Sequence, residues 1–166
     1  MATQTMVTVE EYLNTSYEPD CDYVDGQLVE RNVGEWDHSR LQAAFISYFY
    51  TRERQLGLLV VPEQRVQVSQ TRFRIPDVCV VIAPEPGTQI LRSPPLLCIE
   101  ILSKDDRVRA LQQKVDDYIK FGVKYIWVID PQTRKAHVHT ADGVTEVKDG
   151  ILFTTDPDIR VPLDEI

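Results

Sequence analysis

Two apolar, strand-like runs of this chain each carry one carboxylate where an ordinary core strand would carry valine or isoleucine. Asp77 stands in the run Arg-Ile-Pro-Asp-Val-Cys-Val-Val, and Glu100 stands in Leu-Cys-Ile-Glu-Ile-Leu. An isolated ionised carboxylate is costly in an apolar interior, so a folded chain keeps one that is paired, protonated or bound to a metal. Two carboxylates on neighbouring strands resemble the hard oxygen ligands that Mg²⁺ and Mn²⁺ take. The pair therefore predicts a divalent-cation site.

Each acid also fits a simpler role, and the residues alone leave both roles open. Pro76 cannot donate a sheet hydrogen bond, so Asp77 lies at the start of its strand, where a turn or capping carboxylate is common. Glu100 lies inside the most apolar run of the chain, and a buried salt bridge to Arg74 or Arg107 would also keep it there.

Hydrolysis of a phosphodiester at a metal site also needs a cation near the attacking water and the transition state. Lys114 is the candidate, because it lies at the edge of the apolar stripe of a helix capped by Ser103–Asp106 and running to Lys120. A long side chain at such an edge can reach the sheet while its stem packs on apolar neighbours. A solvent-facing lysine is the alternative interpretation. The stripe comprises Val108, Leu111, Val115, Tyr118 and Ile119.

A second helix, predicted over residues 35–56, carries polar residues within its apolar face. His38, Gln42 and Arg52 share that face with leucine and phenylalanine, and buried polar groups need partners. For His38 and Gln42 a cleft-lining role and a hydrogen-bonded core role are both open. Glu30 and Glu63, next to strand-like segments, are weaker candidates for the same cleft and also fit exposed positions.

The hydrophobic pattern predicts the elements that must position these residues. Alternation predicts strands, and three- and four-residue recurrence predicts helices, while Asp25-Gly26 indicates a hairpin turn. The expected fold is α/β (α+β), a mixed sheet with helices packed against it. Helices are expected over about 8–14, 35–56 and 103–120, and strands over 23–31 (a hairpin), 58–61, 64–69, 77–82, 96–102, 124–130 and 135–140, with short edge strands at the end.

Composition sets further bounds. A chain of 166 residues, 43% of them hydrophobic, suits one domain over residues 1–166 with its own core. No run approaches the roughly 20 apolar residues of a membrane helix, and no secretory signal is visible, so we expect a cytoplasmic protein. The three cysteines fit buried thiols in a reducing compartment. The net charge of −8 argues against loose binding to phosphate backbones, although many arginines fall mid-chain.

Taken in order, these motifs resemble the Uma-two family of endonucleases, which belongs to the restriction-endonuclease-like PD-(D/E)XK superfamily. The resemblance covers about residues 7–140, and the ordered series is specific although each motif alone is weak. It implies a central mixed β-sheet flanked by helices and Mg²⁺-dependent (or Mn²⁺-dependent) phosphodiester hydrolysis. The matching segments are Tyr23-Val-Asp-Gly-Gln-Leu-Val-Glu, His38, Arg74-Ile-Pro-Asp-Val, Ile99-Glu-Ile-Leu-Ser, Lys114 with Tyr118, Gly122-Val and Trp127-Val-Ile-Asp-Pro.

The resemblance assigns roles residue by residue. Asp77 matches the metal-binding aspartate, Glu100 matches the second acid, and the Ile101 carbonyl would complete the metal ligands. The superfamily lysine should stand two residues after the second acid, where this chain has Leu102. In this family the lysine is expected on the following helix, and Lys114 fits that relocated position. His38 matches a recurring histidine at the cleft.

The function expected from the sequence is therefore a metal-dependent DNA endonuclease with Asp77, Glu100 and Lys114 as catalytic residues. A homodimer is the default for an enzyme that cuts both strands. Two other classes stay open: a catalytically inactive binding module with the nuclease fold, favoured by the acidic charge and the displaced lysine, and a metal-dependent hydrolase of small phosphate esters.

Overall fold

The structure, a computed structural model, describes residues 5–32 and 34–166. The α-helices are Val9–Leu13 (α1), Trp36–Tyr50 (α2), Glu53–Leu56 (α3) and Val108–Phe121 (α4), with a 3₁₀ helix at Leu163–Glu165. The strands are Cys21–Val24 (β1), Gln27–Glu30 (β2), Leu58–Pro62 (β3), Val66–Ser69 (β4), Arg72–Arg74 (β5), Val78–Ile82 (β6), Leu97–Ile101 (β7), Tyr125–Ile129 (β8), Ala136–Thr140 (β9), Gly143–Glu146 (β10), Ile151–Thr155 (β11) and Asp158–Pro162 (β12).

A six-stranded mixed sheet forms the centre, in the order β10-β9-β8-β7-β6-β3. Within the described residues, β7 and β8 are parallel, and the other neighbouring strands of this sheet are antiparallel. Every residue of β7 and β8 is buried, as their near-continuous apolar runs require for strands covered on both faces. The predicted central mixed sheet flanked by helices is therefore confirmed.

The two faces of this sheet have separate cores, because side chains alternate along each strand. On one face, Phe45 and Phe49 of α2 pack with Ile99 and Trp127, and the β11–β12 ribbon closes this core. On the other face, Val115 and Tyr118 of α4 join a core that includes Cys98, and β4 contributes to it. Glu100 has the same parity as Cys98, so it belongs to the face that α4 covers.

A four-stranded sheet, in the order β2-β1-β5-β4, leads directly into the central sheet. Strand β5 ends at Arg74 and β6 begins at Val78, so Ile75, Pro76 and Asp77 join the two sheets. The smaller sheet and α1 share an aromatic core of Tyr12, Tyr23 and Phe73. This connection fixes Asp77 at the junction of the two sheets.

Two predicted helix boundaries were wrong. Helix α4 begins at Val108, not at Ser103, because residues 103–106 form a turn: the Ser103 N–H donates to Asp106 Oδ2, 2.7 Å away. Such side-chain bonds compete with helical ones. Val108 is 86% exposed and lies outside the apolar stripe. The helix predicted over 35–56 is broken after Tyr50 into α2 and α3, where the Arg52 N–H bonds the Phe49 carbonyl three residues back.

Two further observations bear on the sequence expectations. Cys21, Cys79 and Cys98 are free and buried, as expected. In the described ranges, no helix combines the length and the apolar character that crossing a bilayer requires.

Candidate active site

A cavity of about 390 Å³ opens at the junction of the two sheets, next to the first turn of α2 and to α4. Its walls include every residue that the sequence predicted for the site: Glu30, His38, Gln42, Glu63, Asp77, Glu100, Ile101 and Lys114. The sheet register explains why the two acids meet. Val78 pairs with Ile99 across the antiparallel strands β6 and β7. One step further along this register, Asp77, which directly precedes β6, therefore lies opposite Glu100 of β7.

Asp77 is buried and tied to three different elements. Its Oδ2 accepts the Ile101 N–H at 2.7 Å, and its Oδ1 lies 2.9 Å from Nη2 of Arg31 and 3.3 Å from Nε2 of His38. Burial alone would raise the pKa of Asp77, but the hydrogen bond from His38 and the charge of Lys114 lower it below its ordinary value. These long-range partners are not those of a local turn or cap.

Glu100 is only 6% exposed and accepts two hydrogen bonds from α4. Its Oε2 lies 3.0 Å from Nζ of Lys114, and its Oε1 accepts from the Tyr118 hydroxyl at 2.8 Å. Burial raises the pKa of Glu100 to about 7, an effect that the positive charge of Lys114 offsets only in part. The buried partner of Glu100 is thus Lys114, and the suggested pairing with Arg74 or Arg107 is wrong.

Lys114 points into the protein, so the solvent-facing interpretation is wrong. Its side chain is 15% exposed, and Nζ donates to the Ile75 carbonyl at 3.2 Å and lies 3.7 Å from Oδ2 of Asp22. Burial lowers the pKa of Lys114, yet the nearby charges of Asp22 and Glu100 raise it above its ordinary value. The ammonium group therefore stays protonated between these carboxylates.

Helix α2 supplies two of the predicted cleft residues one turn apart. Gln42 donates from Nε2 to the Asp77 carbonyl at 2.8 Å, which fixes the backbone of that residue. The hydrogen bond to Asp77 raises the pKa of His38, although burial opposes the shift. Arg52, on the same face by sequence, lies outside the cavity, with its guanidinium carbon 3.8 Å from the centre of the Tyr48 ring. Arg52 lies past the end of α2 at Tyr50, in the break before α3, which accounts for the difference.

Two charged residues that contact the predicted site escaped the sequence analysis: Asp22, beside Lys114, and Arg31, beside Asp77. Asp22 directly precedes the strand predicted over 23–31, but it lies in β1, is 3% exposed and accepts the Ile75 N–H at 3.0 Å. A charge between Cys21 and Tyr23 was an available signal, of the kind that identified Glu100. Arg31 had no such signal, because polar residues flank it and its partners are distant in the chain.

A buried ion network lies behind Lys114 and connects it to the surface. Arg74 donates from Nε to Asp117 at 2.8 Å, and its Nη1 lies 3.3 Å from Oδ2 of Asp22. Arg72 lies 2.7 Å from Asp117 and 2.6 Å from the half-exposed Asp25. Because both acids beside Arg74 are buried, this network holds Asp22 in place beside Lys114.

The donor chemistry of the cavity fits a hard divalent cation. Carboxylate and carbonyl oxygens are the ligands that Mg²⁺ and Mn²⁺ prefer, and Asp77, Glu100 and Ile101 all line the cavity. Within residues 5–32 and 34–166, no group of three or more His, Cys, Asp or Glu side chains is arranged to hold a metal. An ion here would therefore depend on two carboxylates, a main-chain oxygen and water.

Comparison with known proteins identifies the family. The fold is similar to that of a protein from Anabaena variabilis ATCC 29413 described as "a putative nuclease belonging to DUF820", with a TM-score of 0.81, 19% identity and 96% of both chains covered. A DrdV–DNA complex matches at 17% identity and a TM-score of 0.46, over 66% of this chain and 10% of that one. No curated protein sequence matches. The Uma2 family, described as "Putative restriction endonuclease", matches residues 9–159, and the chain belongs to it.

Proposed function

We propose that this protein is a metal-dependent endonuclease that hydrolyses phosphodiester bonds of DNA. The observation that carries the proposal is the convergence of Asp77, Glu100 and Lys114 on one cavity. Two buried acids beside a buried ammonium are expensive to maintain in a fold that has no use for them. Membership of the Uma2 family, with its description as restriction endonucleases, supports the same function.

Asp77, Glu100 and the Ile101 carbonyl would hold Mg²⁺ or Mn²⁺. When bound, such an ion polarises a phosphoryl oxygen and makes a bound water more acidic. The chain itself supplies orientation: the Ile101 N–H holds Oδ2 of Asp77 at 2.7 Å, and the Tyr118 hydroxyl holds Glu100 at 2.8 Å.

Lys114 acts as a charged donor in this proposal. Asp22 and Glu100 raise its pKa, so it keeps its proton at neutral pH and is not the general base. A protonated amine next to the reacting phosphate orients the water and stabilises the negative charge that develops in the transition state. Its position on α4 replaces the lysine that the superfamily pattern places where this chain has Leu102.

The acidic net charge of −8 makes the local cations of the cavity important for binding DNA. Arg31 and Arg107 lie on the cavity wall together with Lys114. The bound cation would add positive charge at the same place. We further propose a homodimer, because cutting both strands of a duplex at one site needs two cavities.

The test is cleavage of supercoiled plasmid in EDTA, Mg²⁺ or Mn²⁺ by the wild type, Asp77→Asn and Glu100→Gln. We expect metal-dependent nicking by the wild type and its loss in both variants. The control is Glu146→Gln, the same chemical change at an exposed position of β10, which should cut normally. Unchanged cleavage by either site variant would refute the site.

The same protein and metals, tested on a small phosphodiester and in a thermal melt, distinguish the two other functional classes: the small-ester hydrolase and the binding module. Hydrolysis of bis(4-nitrophenyl) phosphate without cleavage of DNA or RNA would identify a small-ester hydrolase. If the wild type shows no hydrolysis with any metal and no metal-dependent rise in melting temperature, the nuclease proposal fails. The binding-module alternative then replaces it.

A further inference from the structure

Arg31 contacts the proposed metal ligand directly. It follows β2, and its guanidinium bridges two acids: Nη2 lies 2.9 Å from Oδ1 of Asp77, and Nη1 lies 3.3 Å from Oε1 of Glu63. The exposed fractions of these side chains are 14% for Arg31, 8% for Asp77 and 56% for Glu63. The guanidinium therefore spans from the buried acid to the mouth of the cavity.

The hydrogen bonds of Asp77 determine where a cation can bind it. Its Oδ2 accepts from the Ile101 N–H, a main-chain group of β7 that cannot move away. The groups at Oδ1 are side chains that can move, so a cation can gain this oxygen by displacing one of them. Arg31 lies against that oxygen, with His38 3.3 Å away. In this arrangement the guanidinium supplies to Asp77 the positive charge that a divalent ion would supply.

We propose that Arg31 and the divalent ion compete for Oδ1 of Asp77, and that the displaced guanidinium binds a phosphate of the nucleic acid. This inference rests on the proposed function and adds a substrate-contacting residue to it. Two cations beside one carboxylate oxygen repel each other strongly in a partly buried site. The planar fork of arginine matches a phosphate as well as a carboxylate.

Glu63 makes this exchange feasible. It is mostly exposed and lies next to the buried acid in space, since its N–H bonds the Asp77 carbonyl at 3.2 Å. A guanidinium that leaves Asp77 can stay on Glu63 at the cavity mouth. It is then close to the position from which a phosphodiester would approach the two acids.

If Arg31 competes with the metal ion, its removal should strengthen metal binding and weaken duplex binding. Removal of a purely structural salt bridge would not strengthen metal binding. For Arg31→Gln, isothermal titration calorimetry should show Mn²⁺ binding about tenfold tighter than in the wild type, a change of about 1.4 kcal/mol. Fluorescence anisotropy should show a labelled 20-base-pair duplex binding about tenfold weaker. The duplex is measured in Ca²⁺, with its intact length checked on a gel.

Two further variants sharpen the test. Arg31→Lys keeps a positive charge near Asp77 but loses the fork, so Mn²⁺ affinity should stay near that of the wild type while duplex affinity falls. Arg92→Gln is the matched control: Arg92 is exposed and is not part of the cavity lining, so neither Mn²⁺ affinity nor duplex affinity should change. Circular dichroism establishes that each variant is folded.

The outcomes separate this inference from the proposed function. If the wild type binds Mn²⁺ but Arg31→Gln binds it equally or more weakly, Arg31 is only a structural partner of Asp77 and the inference is overturned. Tighter Mn²⁺ binding with unchanged duplex affinity overturns the phosphate contact. If the wild type binds neither Mn²⁺ nor Mg²⁺, the metal site of the proposed function fails, and the competition fails with it.

Discussion

Replacing Glu100 by glutamine should change how the stability of the metal-free protein depends on pH. The pKa of Glu100 is about 7 in the folded protein, against an ordinary value of 4.5. The folded state therefore holds a proton that the unfolded chain releases between these two pH values. Stability falls as pH rises wherever the folded state binds more protons, so the contribution of Glu100 to stability falls from pH 4.5 to 7 and is constant above pH 7.

The size of this loss follows from the shift. About 2.5 pKa units at 1.36 kcal/mol each gives a penalty of about 3 kcal/mol above pH 7. Glutamine carries no titrating proton, so Glu100→Gln escapes the penalty. It loses one hydrogen bond, from Lys114 or Tyr118, at a cost of about 1 kcal/mol that does not depend on pH. For a domain of this size, the pH-dependent penalty of about 3 kcal/mol corresponds to a difference in melting temperature of roughly 6–12 °C.

The assay is urea unfolding in EDTA, followed by circular dichroism between pH 4.5 and 8. The quantity of interest is the difference in the free energy of unfolding between Glu100→Gln and the wild type. It should grow by about 3 kcal/mol across this range. Glu146→Gln, an exposed change on β10, should show no comparable slope. A difference for Glu100→Gln that does not vary with pH would refute the assignment of a raised pKa.

Three other perturbations test the site. In a thermal melt, millimolar Mg²⁺ should raise the melting temperature of the wild type. A free ion concentration one hundred times the Kd adds about 2.7 kcal/mol to the free energy of unfolding, and Asp77→Asn should abolish this stabilisation. Arg74→Met takes one cationic partner from each of two buried carboxylates, which keep only Arg72 beside Asp117 and the more distant Lys114 beside Asp22. Urea unfolding should therefore show a loss of about 3 kcal/mol, and the exposed control Arg92→Met should show little. Lys114→Gln should cut plasmid about 100-fold more slowly while still binding Mn²⁺ by calorimetry, and normal cleavage would remove Lys114 from the mechanism.

The sequence was enough to find the two acids. A carboxylate inside a continuous apolar run is anomalous whatever the tertiary structure, because burial without a partner is so costly. Glu100 and Asp77 could therefore be identified before the sheet register was known. The same reasoning applied to Asp22 would have found it, but its strand has only four residues, and the acidic residues Glu18 and Asp20 just before it obscured the pattern.

The features that could not be predicted from the sequence are the contact of Arg31 and the start of α4. Arg31 is 46 residues from Asp77 in the chain, and nothing in its polar surroundings predicts which acid it meets. The start of α4 was also misjudged, because Asp106 bonds the backbone of Ser103 instead of capping a longer helix. The first error concerns a partner that is distant in the chain, and the second concerns a local side-chain bond that the hydrophobic pattern does not reveal.

The charges of the cavity explain how an acidic protein could act on a polyanion. Asp77 is balanced by Arg31 and Glu100 by Lys114 at distances of 2.9 and 3.0 Å. Acids outnumber cations in the cavity lining as a whole, so an entering divalent ion makes the potential less negative just where a phosphate must bind. Nucleic-acid binding should then strengthen with metal much more than the net charge of −8 suggests. If duplex affinity in EDTA equals that in Ca²⁺, this coupling between metal and substrate does not exist.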